Sequence, residues 1–145
     1  QLGNRLGTEI LNYGVSGDTT RDGLARLDDA LEMKPRVVII LLGGNDFLKK
    51  IPRGETFANL EQIVTAFQRG GAITVVVGVR SGIIGGGADD EFEALAKKTG
   101  SVSVSDVLSG IFGHAELMSD AIHPNSVGYG RIADRLAPLL LKYVK

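Results

Sequence analysis

The run Val37-Val38-Ile39-Ile40-Leu41-Leu42-Gly43-Gly44-Asn45-Asp46 decides the fold class. Its first six residues are all apolar, so the segment has no polar face to turn to water. That pattern predicts a central parallel strand covered by helices on both sides. The run stops abruptly at two glycines and a polar pair. In an open α/β sheet, functional groups collect outside the carboxyl ends of the strands, and such an ending marks a place for chemistry.

Further along the chain, Phe57, Leu60, Val64 and Phe67 recur at helical spacing up to Gly70-Gly71, and Ala72 to Val79 predicts a second fully apolar strand. A glycine-rich loop, Ser81 to Gly87, follows. Asp89 to Thr99 reads as a helix with Phe92 and Leu95 inward and Gly100 as its C-terminal cap, and Ser101 to Val107 alternates like a shorter strand. Asn125 or Ser126 is expected to cap a last helix that turns Val127, Ile132, Leu136, Leu139 and Tyr143 to the core, with Pro138 kinking it or ending its regular part. Toward the start, Leu24, Leu27 and Leu31 mark one helical face, opened by a Thr19/Asp22 capping box and closed before Pro35. Glu9 to Val15 reads as a strand, and Gln1 to Leu6 as the tail of a helix ending near Gly7. Four strands and about five helices in alternation predict one α/β domain over residues 1–145 with a parallel sheet.

Composition narrows the function. Sixteen basic and seventeen acidic residues give a net charge of −1 with no long block of either sign, which excludes an electrostatic nucleic-acid footprint and favours a small or neutral substrate. No run of about 18 apolar residues and no basic-then-apolar opening occurs, so neither a membrane-spanning helix nor a signal peptide is expected within these residues. Cysteine is absent, which removes disulfides, thiolate catalysis and the usual structural zinc sites; His114 and His123 are too few for a multi-histidine metal site. The chain opens on Gln1 rather than methionine, so a processed or truncated start, or residues upstream, is expected.

Three segments at element ends carry candidate chemistry. In Gly14-Val15-Ser16-Gly17-Asp18-Thr19-Thr20, Gly17 lets the backbone turn sharply and present its N–H to a ligand, or else simply serves a turn that caps the next helix. Asn45 offers a side-chain amide at the mouth of the Val37–Leu42 strand, either to a developing oxyanion or to a nearby turn. In Asp120-Ala121-Ile122-His123-Pro124-Asn125, the three-residue spacing lets one turn bring the carboxylate onto one imidazole nitrogen and leave the other free as a base; the bland alternative is a surface turn with an incidental histidine. Lys49 and Lys50 read as a solvated helix start and His114 as a loop histidine. The Gly82, Gly85, Gly86, Gly87 run lacks the Gly-Lys-Ser/Thr ending of a phosphate loop and reads as a substrate-side loop. Phe47, Leu48 and Ile51 are equally explained as packing or as the lining of an acyl pocket.

Taken in this order, Ser16-Gly17-Asp18-Thr19, Gly43-Gly44-Asn45-Asp46 and Asp120-Ala121-Ile122-His123-Pro124 resemble the glycine, Gly-x-Asn-Asp and Asp-x-x-His blocks of the SGNH (GDSL-type) hydrolases. The resemblance covers nearly the whole chain and points to the branch of small one-domain esterases, arylesterases, lysophospholipases and thioesterases. It implies a three-layer, flavodoxin-like fold with strand order 2-1-3-4-5. It also implies that the Gly17 N–H and the Asn45 amide are oxyanion donors, His123 is the general base and then the general acid, and Asp120 orients His123. The substrate implied is a small ester or acyl compound, with no metal and no organic cofactor, no nucleic acid and no membrane span. The location implied is periplasmic or secreted, with the cytoplasm as the alternative.

The family's nucleophile, the serine of Gly-Asp-Ser-Leu at the end of a first strand, does not occur here: Gly17-Asp18 is followed by threonine. Ser16 lies on the glycine block and does not match that position. The resemblance therefore places the nucleophile serine upstream of Gln1, and with it a first strand lying between Glu9–Val15 and Val37–Leu42. Residues 1–145 alone are expected to be inactive and not to form the normal fold without that segment or a complementing chain. The alternative reading is an inactive SGNH-fold binding or interaction module. A phosphorylation-receiver or flavin-binding domain shares the architecture, but no suitable lysine follows Ser101 to Val107.

Overall fold

The computed structural model describes residues 1–78, 88–105 and 107–144. Among them are three strands, β1 (Val37–Ile40), β2 (Ile73–Val77) and β3 (Val102–Val104), paired in parallel in the order β1-β2-β3. The register runs Val37 with Ile73 to Ile40 with Val76, and Val75 with Val102 to Val77 with Val104. Seven α-helices accompany them: α1 (Leu2–Leu6), α2 (Thr20–Ala25), α3 (Leu27–Glu32), α4 (Gly44–Leu48), α5 (Arg53–Arg69), α6 (Asp89–Thr99) and α7 (Ser126–Val144), with a 3-10 turn at Ala115–Leu117. The chain gathers into two compact units, Tyr13–Asp106 and Gln1–Asn12 with Val107–Lys145.

In the first unit, α5 and α6 bury the stripes that the sequence marks. Leu60, Val64 and Phe67 of α5 meet Phe92 and Leu95 of α6 around Ile40 and Val76 of the sheet, and Leu24, Leu27 and Leu31 pack against this cluster. β2 is buried from Thr74 through Val77, as its unbroken apolar pattern requires. The capping box forms as expected, Thr19 N–H donating to Asp22 Oδ2 at 2.8 Å, and Gly100 ends α6 in the left-handed region at φ 70°.

Several expectations fail, each for a local reason. Glu9 to Val15 is irregular and exposed, with Leu11 58% accessible; an extended segment needs a hydrogen-bonding neighbour, and no described strand pairs with it. Val37–Leu42 is shortened to Val37–Ile40 and forms an edge of the described sheet, not its centre, and Leu41 is 50% exposed. The helix expected to run from Thr19 to before Pro35 is two helices, broken where Arg26 leaves helical geometry at φ −108°, ψ 9° and its guanidinium pairs with Asp18 and the Tyr13 carbonyl. Lys49 and Lys50 follow a short helix instead of starting one. Val79 and the Ser81–Gly87 loop, with Gly82, Gly85, Gly86 and Gly87, lie outside the described residues.

In the second unit, α7 packs on α1 and on the Ala115–Leu117 turn, burying Ile132, Ala133, Leu136, Ala137 and Leu140 with Ile111 and Leu117. Val127 and Leu139, expected inward, are exposed, because the buried stripe is set by Ile132, Leu136 and Leu140 one turn apart. The helix continues through Pro138 to Val144. Arg5 anchors α1 to it by pairing with Asp134 at 2.5 Å. Among the described residues no helix is long and apolar enough to cross a membrane.

Gly43 joins β1 to α4 at φ 108°, where a Cβ would stand 3.2 Å from the Phe92 ring and 3.6 Å from Thr56 Cγ2. Gly43→Ala is therefore expected to lower stability by about 1–3 kcal/mol, since both the backbone conformation and the close approach oppose a side chain. A urea unfolding curve of the variant against the parent protein measures it.

Candidate active-site elements

On the Tyr13–Asp106 unit, the segment Ser16–Thr19 is a turn entered through the Asp18 N–H bond to the Val15 carbonyl at 3.2 Å. Gly17 takes φ 86°, and nothing lies within 4 Å of where its Cβ would stand, so glycine is required there by conformation and not by crowding. Its carbonyl accepts from Lys49 Nζ at 2.9 Å. Asn45 sits in the first turn of α4, half-buried, and Nδ2 donates to the Asp18 carbonyl at 2.8 Å. An amide nitrogen has two protons. One is committed to Asp18, which fixes the orientation of the amide, and the second can be offered to a ligand.

The structure thus brings Asn45 and the Gly17 turn together. It also shows what the sequence reading missed: Asp46, the neighbour of Asn45, is fully buried and accepts from Thr20 N–H at 2.9 Å, Thr20 Oγ1 at 2.5 Å and Thr56 Oγ1 at 3.2 Å. Asn59 Nδ2 completes the set by donating to Thr20 Oγ1 at 3.0 Å. The available signal was positional: in Gly43-Gly44-Asn45-Asp46 a helix start puts consecutive side chains on different faces, so one of the polar pair has to face the core.

On the other unit, Asp120 and His123 meet as the spacing predicts. His123 Nδ1 lies 2.7 Å from Asp120 Oδ2 and 3.0 Å from Oδ1, while Oδ1 also accepts the N–H groups of Ile122 and His123, each at 2.8 Å. A carboxylate only accepts, so Nδ1 carries the proton and Nε2 is left as the basic nitrogen. Around the pair, Ser119 N–H donates to the His123 carbonyl at 2.8 Å and Met118 bridges Pro124. Asn125 Oδ1 then caps α7 through the N–H groups of Val127 and Gly128. Gly128 lets that first turn close on the loop, since a Cβ there would stand 2.3 Å from the Leu117 carbonyl and 2.8 Å from Pro124 Cβ. His114 stands apart, 3.3 Å from Glu116. Among the described residues no three His, Asp or Glu side chains gather as metal ligands.

Residues 1–131 match the model of the GDSL-like Lipase/Acylhydrolase family. The chain belongs to that family. Among its curated relatives are Esterase TesA of Pseudomonas aeruginosa, 30% identical over 90% of this chain and 69% of that protein, and Thioesterase 1/protease 1/lysophospholipase L1 of Escherichia coli K12, 31% identical over 92% and 67%. A crystal structure of TesA superposes with a TM-score of 0.85 at 28% identity, covering 98% of this chain and 86% of that one. The parallel sheet flanked by helices is consistent with the flavodoxin-like three-layer fold of these hydrolases.

The three donors hold the Asp120 carboxyl well below its ordinary 3.8, at about 2; the Ile122 N–H contributes most, then the His123 ring and the His123 N–H. A depressed folded value means that this contact stabilises the fold fully above the unfolded value of 3.8 and ceases to do so as the pH falls through about 2. The Asp120 carboxyl carbon is expected to titrate by NMR near pH 2. The stability gap between the parent protein and Asp120→Asn should close between about pH 4 and 2. A titration midpoint near the ordinary value would contradict the arrangement.

Proposed function

We propose that the protein is a serine hydrolase of carboxylic esters or thioesters in which His123, Asp120, Gly17 and Asn45 act on the substrate through an acyl-enzyme. The observation that carries the reading is the Asp120–His123 pair, with Nδ1 committed to the carboxylate and Nε2 left basic, in a member of a lipase/acylhydrolase family. The names of the relatives, which include an esterase, a thioesterase and a lysophospholipase, support a small acyl substrate.

In the reaction, a serine Oγ–H gives its proton to His123 Nε2 as the oxygen attacks the acyl carbonyl. The carbonyl oxygen becomes an oxyanion, taken up by the Gly17 N–H and the second Nδ2 proton of Asn45. Asp120 holds the ring in the required tautomer and stabilises its charged form. The protonated His123 then donates to the leaving alcohol or thiol, and the acyl group remains on the serine. Water then gives a proton to His123 as its oxygen attacks the acyl-enzyme, and when the acyl–serine bond breaks His123 returns that proton to the serine Oγ, releasing the acid and the free enzyme. As none of the serines in the described blocks stands in a Gly-Asp-Ser sequence, the nucleophile is proposed as a serine upstream of Gln1.

The full-length protein is expected to turn over a short-chain aryl ester with a burst, and to be inactivated stoichiometrically by a serine-directed organophosphonate. Residues 1–145 alone should form no acyl-enzyme. Asp120→Asn should lower kcat by about 10⁴-fold, because the amide favours the wrong imidazole tautomer. The absence of both turnover and labelling in the full-length protein would defeat the enzyme reading in favour of a binding module.

A further inference from the structure

Asp46 is the one acidic side chain among the described residues that is wholly buried, and the reaction above makes no use of it. Removing a carboxyl group from water costs several kcal/mol unless donors replace the water, and an apolar side chain would fill the same space without that demand. Here the donors are supplied by two residues of other helices: the Thr20 N–H and hydroxyl from the start of α2 and the Thr56 hydroxyl from α5.

The placement of those donors is informative. Asn45 and Asp46 are consecutive on α4, so their side chains leave the helix about 100° apart. Asn45 takes hold of the Asp18 carbonyl, directly after Gly17, and Asp46 takes hold of Thr20, so that the two anchors lie on either side of Thr19. Besides the Asn45 bond, the exposed Lys49 ammonium at the end of α4 reaches the Gly17 carbonyl, but its long, solvated side chain leaves the turn free to pivot about Asn45. A second anchor two residues further on removes that freedom.

We propose that Asp46 is a positioning residue for ester hydrolysis: with Asn45 it clasps the Gly17–Thr20 turn against α4 and so sets the separation and direction of the Gly17 and Asn45 donors. The inference rests on the oxyanion reading of those two groups. Such control matters because one oxyanion donor is worth about 10²–10³ in kcat, and a misplacement of about 1 Å can cost about 10²-fold.

The test uses the full-length protein and a short-chain aryl ester. Asp46→Asn keeps the shape but turns an amide nitrogen toward one of the donors, and Thr20→Val deletes the hydroxyl while keeping the backbone N–H. Both are expected to lower kcat about 10–100-fold with KM nearly unchanged, the signature of a loss confined to the transition state. Combined with Asn45→Ala, Asp46→Asn should cost less than the product of the two single losses. The control is Thr74→Val, which cuts a part-buried network of Gln68, Thr74 and Ser101 at the amino end of β2; it should lower stability and leave kcat as it was. If Asp46→Asn does not fold, Thr20→Val carries the test alone. Folded Asp46→Asn and Thr20→Val proteins with parental kcat, beside an impaired Asn45→Ala, would overturn the proposal, as would an equal kcat loss in Thr74→Val. An unimpaired Asn45→Ala would instead overturn the oxyanion reading beneath it.

Discussion

The Asp46 carboxyl group, closed off from water, accepts hydrogen bonds from two helices other than its own. A buried acceptor of this kind tolerates little displacement, because each lost donor leaves a desolvated oxygen at a cost of roughly 1–3 kcal/mol. The start of α2, the five-residue α4 and the first turn of α5 are therefore held in fixed relation. α4 would otherwise have little reason to persist: five residues are far too few to be stable as an isolated helix. Its entry is fixed by Gly43, which has the backbone freedom and the lack of bulk that the Phe92 ring demands.

The Asp120–His123 loop follows a different logic. All the groups that set the pair lie within Ser119–Pro124, and the loop is then sealed by the Asn125 cap and by the close approach of Gly128. Here the backbone itself supplies donors to the carboxylate, so the imidazole is oriented by its own chain segment. Both arrangements use peptide N–H groups as fixed dipoles, which do not reorganise when charge develops nearby.

How much of this could be read from the sequence depended on the range of the interaction. The Asp120–His123 contact, the Thr19/Asp22 box, the Gly100 cap and the α5 and α6 stripes are decided within a few residues, and the sequence shows them. Glu9–Val15 has the right residue types for a strand, but a strand exists only when another chain segment bonds to it, and composition alone does not reveal that partner. Val127 and Leu139 satisfied an approximate helical period, yet the actual phase of α7 is set by its tertiary neighbours. Asp46 was visible in the Gly-Gly-Asn-Asp run, but its role emerged only once Thr20 and Thr56 were seen to converge on it.

These separations in sequence also bear on how each part assembles. Asp120 to His123 closes a loop of three residues, whereas Thr20 to Asp46 closes one of 26. By the logarithmic growth of loop entropy, the longer closure costs about 2 kcal/mol more before any contact compensates it. The histidine hairpin can thus organise on the timescale of local chain motion, while the donor turn must wait for α2, α4 and α5 to collapse together. A chain caught midway in folding would carry the base already formed while the donor turn has yet to take shape.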